Sequence, residues 1–276
     1  MSMVHSVVTH PWINFRFDPS RLNARTWVLI GEAHSKCEHL VGSALKPAVA
    51  QELLSIYLSK GVRATTAIEG NTLSHSQVRA RIEHGAKLPD SLEYQGIEVD
   101  NVNRALGKID KQMLQSGLLP LTVDGILALH SDILQGLESP PDREPGSFRQ
   151  HRVGVGSYPA PPAADVAPLM AELTNWLQSL TNIPETSDRV DRFTSALLAA
   201  VIAHLYIAWI HPFGDGNGRT ARLVEVYILA RNGCVPIVST NLLSDFYNKT
   251  RSRYYERLEQ ASRLQSPYEF IDYAIA

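Results

Sequence analysis

The longest apolar run of the chain, FTSALLAAVIAHLYIAWI at residues 193–210, is followed directly by the polar segment HPFGDGNGRTAR at residues 211–222. The run approaches the length that a helix needs to cross a bilayer. Thr194, Ser195 and His204 interrupt it, however, and alanines dilute its hydrophobicity. We therefore predict a helix that is buried on all sides at the centre of a soluble domain.

Most of the chain repeats its apolar positions with helical spacing, which predicts an all-α fold class. Pro47 near a start and Gly61 at a plausible stop bound one helix. Ser74 and Gln77 form a capping-box pattern at the start of another, which Gly85 closes. Further helices are predicted at about 95–115, 122–136, 165–181, 188–210, 218–231 and 244–263.

One segment departs from the helical pattern. The stretch PPDREPGSFRQHRVGVGSYPAPPA, residues 140–163, contains too much proline and glycine for a helix. Its positions from Phe148 to Val155 alternate enough to predict a short β-hairpin that forms a surface flap. Since no fixed-period repeat and no long linker divides the chain, we expect a helical N-terminal region, 1–115, to pack on a core domain, 116–276.

Composition narrows the class of protein. The chain has 276 residues, and its 26 Lys+Arg against 28 Asp+Glu leave a net charge of -2, which argues against nucleic acid as a partner. Cys37 and Cys234 fit no metal or redox spacing. The N-terminal segment MSMVHSVVTHPWINFRF lacks the basic and apolar regions of a signal peptide. We expect a cytoplasmic protein that does not bind membranes.

The polar segment after the apolar run has the make-up of an anion site. Gly214, Gly216 and Gly218 allow the tight bends with which backbone N–H groups surround phosphate oxygens. The helix predicted to follow would add its unpaired N-terminal N–H groups. Arg219 and Arg222 are three residues apart and so share one helix face. A Walker A loop does not explain these glycines, because no Lys-Ser or Lys-Thr follows them.

Individual side chains in this segment suggest further roles. Asp215 is able to bind Mg²⁺ through one carboxylate oxygen while phosphates and waters complete the shell. His211 carries an imidazole that accepts a proton near neutral pH. His204 lies seven residues before His211, but no third ligand has a convincing spacing for a zinc site. Each residue also has an ordinary structural explanation, such as capping or a surface ion pair, and it is the combination that favours an anion site.

The same segment is similar to the Fic motif, H-x-F-x-[D/E]-G-N-G-R-x-x-R. The chain fills all eight specified positions: His211, Phe213, Asp215, Gly216, Asn217, Gly218, Arg219 and Arg222. The resemblance implies a Fic-type helical core with a short β-hairpin flap and transfer of AMP from ATP to a hydroxyl of a target protein, with Mg²⁺. It implies the following roles: His211 as general base, Phe213 as anchor of the loop, Asp215 as metal ligand, Asn217 and the loop amides as phosphate ligands, Arg219 as their support, and Arg222 as ligand of the terminal phosphate.

The predicted flap carries a second resemblance. Its residues GSFR, from Gly146 to Arg149, are similar to the family's G-x-[F/Y]-R pattern before the catalytic helices. An exposed hairpin edge is able to pair with an extended target segment and present its hydroxyl. We expect Ser147, Phe148, Arg149 and Val153 to bind the target protein, although surface loops of this composition often bind nothing.

The segment TTAIEGN, residues 65–71, resembles the family's inhibitory motif, [S/T]-x-x-x-E-[G/N], with Thr65, Glu69 and Gly70 at the specified positions. The resemblance implies that Glu69 pairs with Arg222 and prevents productive binding of the terminal phosphate. One guanidinium cannot serve a carboxylate and a phosphate in the same orientation. A capping box from Thr66 to Glu69 is the alternative explanation.

Several alternatives stay open at this point. Asn248 and Tyr254 are candidates for a wall that binds the nucleotide base, or they belong to an ordinary helix core. Glu69 is also able to position a water, which would make the protein a de-AMPylating phosphodiesterase. A nucleotide-binding regulatory module without turnover is the third function. Homodimer formation is compatible with the sequence. Many relatives extend into a winged-helix DNA-binding domain, and this sequence stops at SPYEFIDYAIA, so either the natural protein lacks that domain or its chain continues further.

Overall fold

A computed structural model describes residues 9–42, 46–117, 119–137, 144–184, 186–233, 235 and 240–276, with the backbone alone for Val41 and Ser116. Cys234 and the first residues of the proline-rich segment, 140–143, lie outside this part of the chain. The described residues form eleven α-helices and one two-stranded antiparallel hairpin. The helices are α1 (Ala24–Gly42), α2 (Pro47–Ile68), α3 (His75–His84), α4 (Asp90–Ser116), α5 (Val123–Leu134), α6 (Ala163–Thr181), α7 (Arg189–Ile210), α8 (Asn217–Asn232), α9 (Leu242–Lys249), α10 (Arg251–Leu264) and α11 (Tyr268–Ile275), and the strands are β1 (Gly154–Val155) and β2 (Tyr158–Pro159).

Helix α7 lies at the centre of the fold. Nearly every residue from Phe193 to Ile210 is buried, and α8, α6, α1, α10 and α11 all pack against it. By length and composition α7 could cross a membrane, but 83% of its apolar window is buried inside the fold. The apolar run is therefore a core helix, as its polar interruptions predicted.

The N-terminal helices belong to the same hydrophobic core. Helix α2 packs on α9, α3 and α4, and α4 packs in turn on α5 and α8. Apolar side chains of both predicted regions, such as Ile68 and Val99 from the first and Phe213 from the second, join one cluster of buried residues. The end of α2 is thereby held close to the start of α8. The division of the chain at residue 115 stays a prediction.

Two predicted helix boundaries were wrong. Gly61 does not end α2, which continues to Ile68. A Cβ at Gly61 would collide with Asn241, so this glycine allows the start of α9 to approach α2 closely. The helix predicted at 244–263 is two helices, broken at Thr250, whose hydroxyl donates to the Phe246 carbonyl at 2.8 Å. The capping box of Ser74 and Gln77 and the left-handed Gly85 at the end of α3 are confirmed.

The hairpin lies further along the chain than predicted. Its strands are Gly154–Val155 and Tyr158–Pro159, joined by a turn in which Gly156 has a φ of 58°. The earlier residues, from Phe148 onwards, are irregular because their side chains are used in the core. Phe148 packs near Phe213, with ring centroids 5.8 Å apart, and Arg149 is buried.

Candidate active site

His211 ends the central helix in a strained conformation. Its φ of 48° is left-handed, which is uncommon for any residue but glycine, and its N–H still donates to the Ile207 carbonyl at 2.8 Å. Burial lowers the pKa of the imidazole to about 4, although a hydrogen bond with the Ala208 backbone opposes the shift. His211 is therefore neutral near pH 7 and keeps one unprotonated ring nitrogen.

The loop after His211 is held by its own residues. The side chain of Asn217 accepts from the Phe213 N–H at 2.9 Å and donates to the Phe213 carbonyl at 2.8 Å. Phe213 itself is fully buried. Gly216 has a φ of 74°, and helix α8 begins immediately after it. Both polar groups of the Asn217 side chain are thus used to support the loop. Of the predicted pair of phosphate ligands, Asn217 and the loop amides, the amides are the ones that stay available.

Arg219 and Arg222 both point to carboxylates from distant parts of the chain. Arg219 donates to Glu98 at 2.8 Å and lies 3.5 Å from Asp215. Burial raises the pKa of the Glu98 carboxyl, and the charge of Arg219 offsets only part of the increase. Glu98 also accepts from Asn71, the last residue of the TTAIEGN segment, at 3.0 Å. Sequence reasoning did not single out Glu98.

Arg222 is fully enclosed by the end of α2 and by α10. Its Nε donates to the Thr65 hydroxyl at 2.7 Å, and its Nη2 donates to the Thr65 carbonyl at 3.0 Å and to Glu69 Oε1 at 2.6 Å. Its Nη1 donates to the Tyr254 hydroxyl at 3.4 Å. Burial raises the pKa of Glu69, but the charge and hydrogen bond of Arg222 outweigh it, so the net pKa is lowered and the carboxylate is ionised.

The position of Glu69 follows from the way α2 ends. Glu69 is the residue after the last helical turn, and Gly70 follows with a φ of 102°. The Glu69 carboxylate lies against Gly218 in the first turn of α8, so closely that a Cβ at Gly218 would collide with it. Thr66, the start of the alternative capping box, is inside α2 and donates to the Val62 carbonyl. The carboxylate therefore lies at the start of α8, where the sequence predicts an anion site.

These groups face a cavity of about 370 Å³. Glu69, His211, Gly218 and Tyr254 line it, whereas Asn248 does not. The rest of the wall comes from α7, α8, α10 and the hairpin: Val155, Gly156, Ser157, Tyr158, His204, Ala208, Trp209, Asn217, Ala221, Tyr255, Leu258, Glu259 and Ser262. A larger cavity of about 560 Å³ on the other side of the hairpin contains no residue of the 211–222 segment.

Comparison with known proteins agrees with this geometry. Residues 120–229 match the Fic/DOC family. This part of the chain is a Fic/DOC family domain. The chain is 30% identical over 243 residues to protein adenylyltransferase fic-1 of Caenorhabditis briggsae, covering 88% of this chain and 43% of that protein. It is 32% identical over 198 residues to protein adenylyltransferase Fic of Nematostella vectensis, covering 72% and 42% respectively.

A solved structure shares the fold. The crystal structure of a Fic family protein from Desulfovibrio desulfuricans G20 aligns with a TM-score of 0.73 at 26% identity, over 94% of this chain and 72% of that one. The predicted all-α Fic fold is thus confirmed. The chain spans less than half the length of the two curated relatives.

His130, on α5, contacts two residues of the Fic motif, Phe213 and Asp215. It was not identified from the sequence. Its ring stacks on Phe213 with centroids 3.7 Å apart and an interplanar angle of 5°. Its Nδ1 accepts from the Gly146 N–H at 2.9 Å, so Nε2 carries the proton and donates to the Asp215 carbonyl at 3.0 Å. Burial lowers its pKa to about 4 and keeps it neutral. The only sequence signal was a histidine on the apolar face of α5.

One of the expected target-binding residues, Arg149, is used inside the fold, and the role of Ser147 and Val153 stays a prediction. Arg149 is buried and donates to the carbonyls of His211 at 2.7 Å, His151 at 2.8 Å and Pro161 at 2.6 Å, while its own N–H donates to the Pro212 carbonyl. A buried arginine that binds only backbone carbonyls cannot contact a target protein. The GSFR sequence therefore fixes the first residues of the motif loop, and the exposed edge is at Gly154 and Val155. Ser147 and Val153 are only partly buried.

The predicted magnesium ligand, Asp215, offers one partly exposed carboxylate. The side chain of Asp215 is 42% exposed, beside the anion site. Its Oδ1 accepts from the Gly216 N–H at 2.6 Å, which fixes the carboxylate. Mg²⁺ commonly takes one or two protein carboxylates and completes its shell with phosphates and water. Asp215 is thus suited to hold the ion with a bound nucleotide.

Proposed function

We propose that the protein is a Mg²⁺-dependent adenylyltransferase that moves AMP from ATP to a Ser, Thr or Tyr hydroxyl of a target protein. The observation that carries the proposal is the sharing of one cavity by a neutral His211, by Gly218 at the start of α8, and by Glu69, which hydrogen-bonds to Arg222. A proton acceptor and an anion site at contact distance from one cavity are what phosphoryl-group transfer to a hydroxyl requires.

In the proposed reaction the target hydroxyl oxygen attacks the α-phosphorus of ATP. The bond from that phosphorus to the bridging oxygen breaks, pyrophosphate leaves, and the hydroxyl proton passes to the unprotonated nitrogen of His211. Burial keeps this nitrogen unprotonated, because the pKa of about 4 is far below neutral pH. A well-placed general base contributes roughly 10²- to 10⁴-fold to such a step.

Three kinds of group would neutralise the negative charge of the nucleotide: backbone N–H groups, arginine side chains and a bound Mg²⁺. The N–H groups of the first turn of α8 point to the anion site, and Arg219 and Arg222 project from the same turns. Asp215 would hold Mg²⁺, which neutralises phosphate charge when bound. Preorganised donors of this kind stabilise charge that develops as the leaving group departs.

We propose that the site is inhibited while Glu69 holds this position. Glu69 occupies the anion position at Gly218 and takes one of the hydrogen bonds of Arg222. A phosphate brought to the same place would meet an ionised carboxylate, so we propose that Glu69 must move before ATP binds productively. The nearby Tyr255 hydroxyl donates to the Ile68 carbonyl at 3.0 Å and so helps to hold the end of α2 in the inhibitory position.

The target protein is proposed to approach along the hairpin. The edge at Gly154 and Val155 is exposed, and Val155 lines the same cavity as His211. An extended segment that pairs with this edge would bring a side-chain hydroxyl into the cavity.

One observation favours a second candidate function. Glu69 is ionised and lines the cavity together with His211, so it is also able to orient a water. Attack of that water on the phosphorus of an AMP-modified side chain would release AMP and restore the hydroxyl.

Intact-mass analysis of the protein and of lysate proteins after incubation with ATP and Mg²⁺ tests these proposals. Wild type, Glu69→Gly and Glu69→Gly/His211→Ala are compared, with Glu93→Gly as a matched control because Glu93 pairs with Arg81 away from the cavity. An increase in mass equal to one AMP that appears with Glu69→Gly, and with none of the other three proteins, supports both AMP transfer and inhibition by Glu69. Loss of AMP from a modified protein with wild type, abolished by Glu69→Gly, would instead favour hydrolysis. No adduct and no hydrolysis, despite ATP binding, would contradict both.

A further inference from the structure

Four buried polar side chains contact one another in sequence and end at Arg222. This row behind Arg222 consists of Tyr247, Glu225, His204 and Tyr254. The Tyr247 hydroxyl donates to Glu225 Oε1 at 2.8 Å. His204 Nδ1 lies 2.9 Å from the same oxygen, at contact distance though without the alignment of a full hydrogen bond. His204 Nε2 lies 2.8 Å from the Tyr254 hydroxyl, which in turn accepts from Arg222 Nη1.

The chemistry of Arg222 decides the direction of these hydrogen bonds. A guanidinium has only donors, so the Tyr254 oxygen must accept from it. The Tyr254 O–H is then available to donate to His204 Nε2 at 2.8 Å, and in that arrangement Nε2 is the unprotonated ring nitrogen. The proton of a neutral His204 is consequently on Nδ1, the nitrogen that faces the Glu225 carboxylate. In this arrangement the Glu225 carboxylate lies 2.9 Å from the protonated nitrogen of His204, and His204 Nε2 accepts from the Tyr254 hydroxyl.

Burial makes this cluster costly. His204 is fully buried and Glu225 is 1% exposed. Glu225 Oε2 accepts no hydrogen bond from any residue in the described part of the chain. Apolar residues of similar size often stabilise a core at least as well as a buried ionic pair does. The cluster therefore points to a role beyond stability.

The contacts of Arg222 show what that role is. Thr65 and Glu69 both belong to the end of α2, so a movement that withdraws Glu69 from Arg222 also disturbs the Thr65 contacts. Among the described residues, Tyr254 on α10 supplies the one hydrogen bond to Arg222 from outside this segment. It is the contact that would persist when α2 releases the guanidinium.

We infer that Tyr254, oriented by His204 and Glu225, is a positioning residue that holds Arg222 in place for the terminal phosphate of the nucleotide. The inference rests on the proposed function, since it assigns Arg222 to that phosphate. It replaces the expectation that Tyr254 binds the base, because the tyrosine hydroxyl is directed to Arg222.

Nucleotide affinity tests the inference without turnover. Binding of ATP and of AMP is measured by calorimetry in the Glu69→Gly background with and without Tyr254→Phe. We expect Tyr254→Phe to weaken ATP binding about 10-fold, as for the loss of a hydrogen bond to a charged group, and to leave AMP binding unchanged. AMP carries only the first of the three phosphates of ATP, so it lacks the terminal phosphate that Arg222 is inferred to bind. An equal loss for both nucleotides would show that Tyr254 contacts the base or sugar and would overturn the inference, as would no loss for either.

Variants of Glu225 separate positioning from folding. Glu225→Gln keeps an acceptor for His204 and Tyr247 and should retain ATP affinity, whereas Glu225→Leu should reproduce the ATP-specific loss. Tyr273→Phe is the matched control, since its hydroxyl contacts Thr250 in the same aromatic cluster but not the row behind Arg222. Thermal unfolding midpoints show which variants are folded. Similar ATP affinity for folded Glu225→Gln and Glu225→Leu would contradict the inference that Glu225 orients Tyr254 through His204. This conclusion holds whether or not the protein transfers AMP.

Discussion

The two halves of the Fic motif are held by different kinds of contact. The loop half, His211 to Asn217, is fixed by neighbours that stay in place: Asn217 binds the Phe213 backbone, and Arg149 binds the His211 carbonyl. The arginine half, Arg219 and Arg222, is fixed by carboxylates from the N-terminal region. A carboxylate is replaceable by a phosphate, whereas a backbone clamp is not. The comparison suggests a permanent catalytic loop beside an exchangeable anion site.

The largest expected effect comes from the permanent half. In the Glu69→Gly background, His211→Ala should lower the rate of AMP transfer by roughly 10²- to 10⁴-fold, because the hydroxyl loses its base. The rate is measured by intact mass over time. ATP affinity should change little, since the imidazole faces the hydroxyl and not the terminal phosphate. A double variant that still transfers AMP at the parental rate would contradict the assignment of the base.

The second-largest effect on the transfer rate is expected in the arginine half of the motif, Arg219 and Arg222. Glu69→Gly should raise the initial transfer rate by about 10-fold or more, the equivalent of one charge-assisted hydrogen bond no longer competing for Arg222. Initial rates at fixed ATP and Mg²⁺ are compared with those of wild type and of Glu93→Gly. Equal rates for all three would remove Glu69 from the account of inhibition.

A stability measurement sharpens the same contrast. Asn217→Ala should lower the free energy of unfolding by about 1–3 kcal/mol, because it leaves the buried N–H and carbonyl of Phe213 without partners. Urea denaturation measures the change. Asn248→Ala, from a half-buried position outside the cavity, is the control with a smaller expected loss. If the two variants lose the same stability, the Asn217 clamp is not what holds the loop.

A further expected effect is a dependence of stability on pH. His130 and His211 have a pKa of about 4 in the fold against an ordinary value of 6.5. Above pH 6.5 both are neutral whether the chain is folded or not, so their contribution to stability is fully present. As the pH falls from 6.5 towards 4 the unfolded chain binds protons that the fold excludes, at about 1.4 kcal/mol per pH unit for each proton.

Denaturation at several pH values between 4 and 7 checks this expectation. The free energy of unfolding should fall with pH below 6.5, and His130→Gln should reduce the slope. A flat profile over this range would show that neither imidazole is held neutral by the fold.

The same contrast explains what the sequence was able to predict. The Fic motif, the capping box of α3 and the buried α7 are local patterns, and each was found where its spacing indicated. His130, Glu98 and the buried role of Arg149 depend on contacts between residues far apart in the chain. Tertiary packing decides such contacts, and no spacing encodes them. Gly61 misled for the same reason, since Asn241 and not a helix end requires it.

The most direct test of the exchangeable anion site is the ratio of ATP to AMP affinity in wild type and Glu69→Gly, measured by calorimetry with Mg²⁺. If Glu69 and the terminal phosphate compete for Arg222, Glu69→Gly should strengthen ATP binding by about 10-fold and leave AMP binding nearly unchanged. An equal change for both nucleotides, or none, would contradict competition at Arg222.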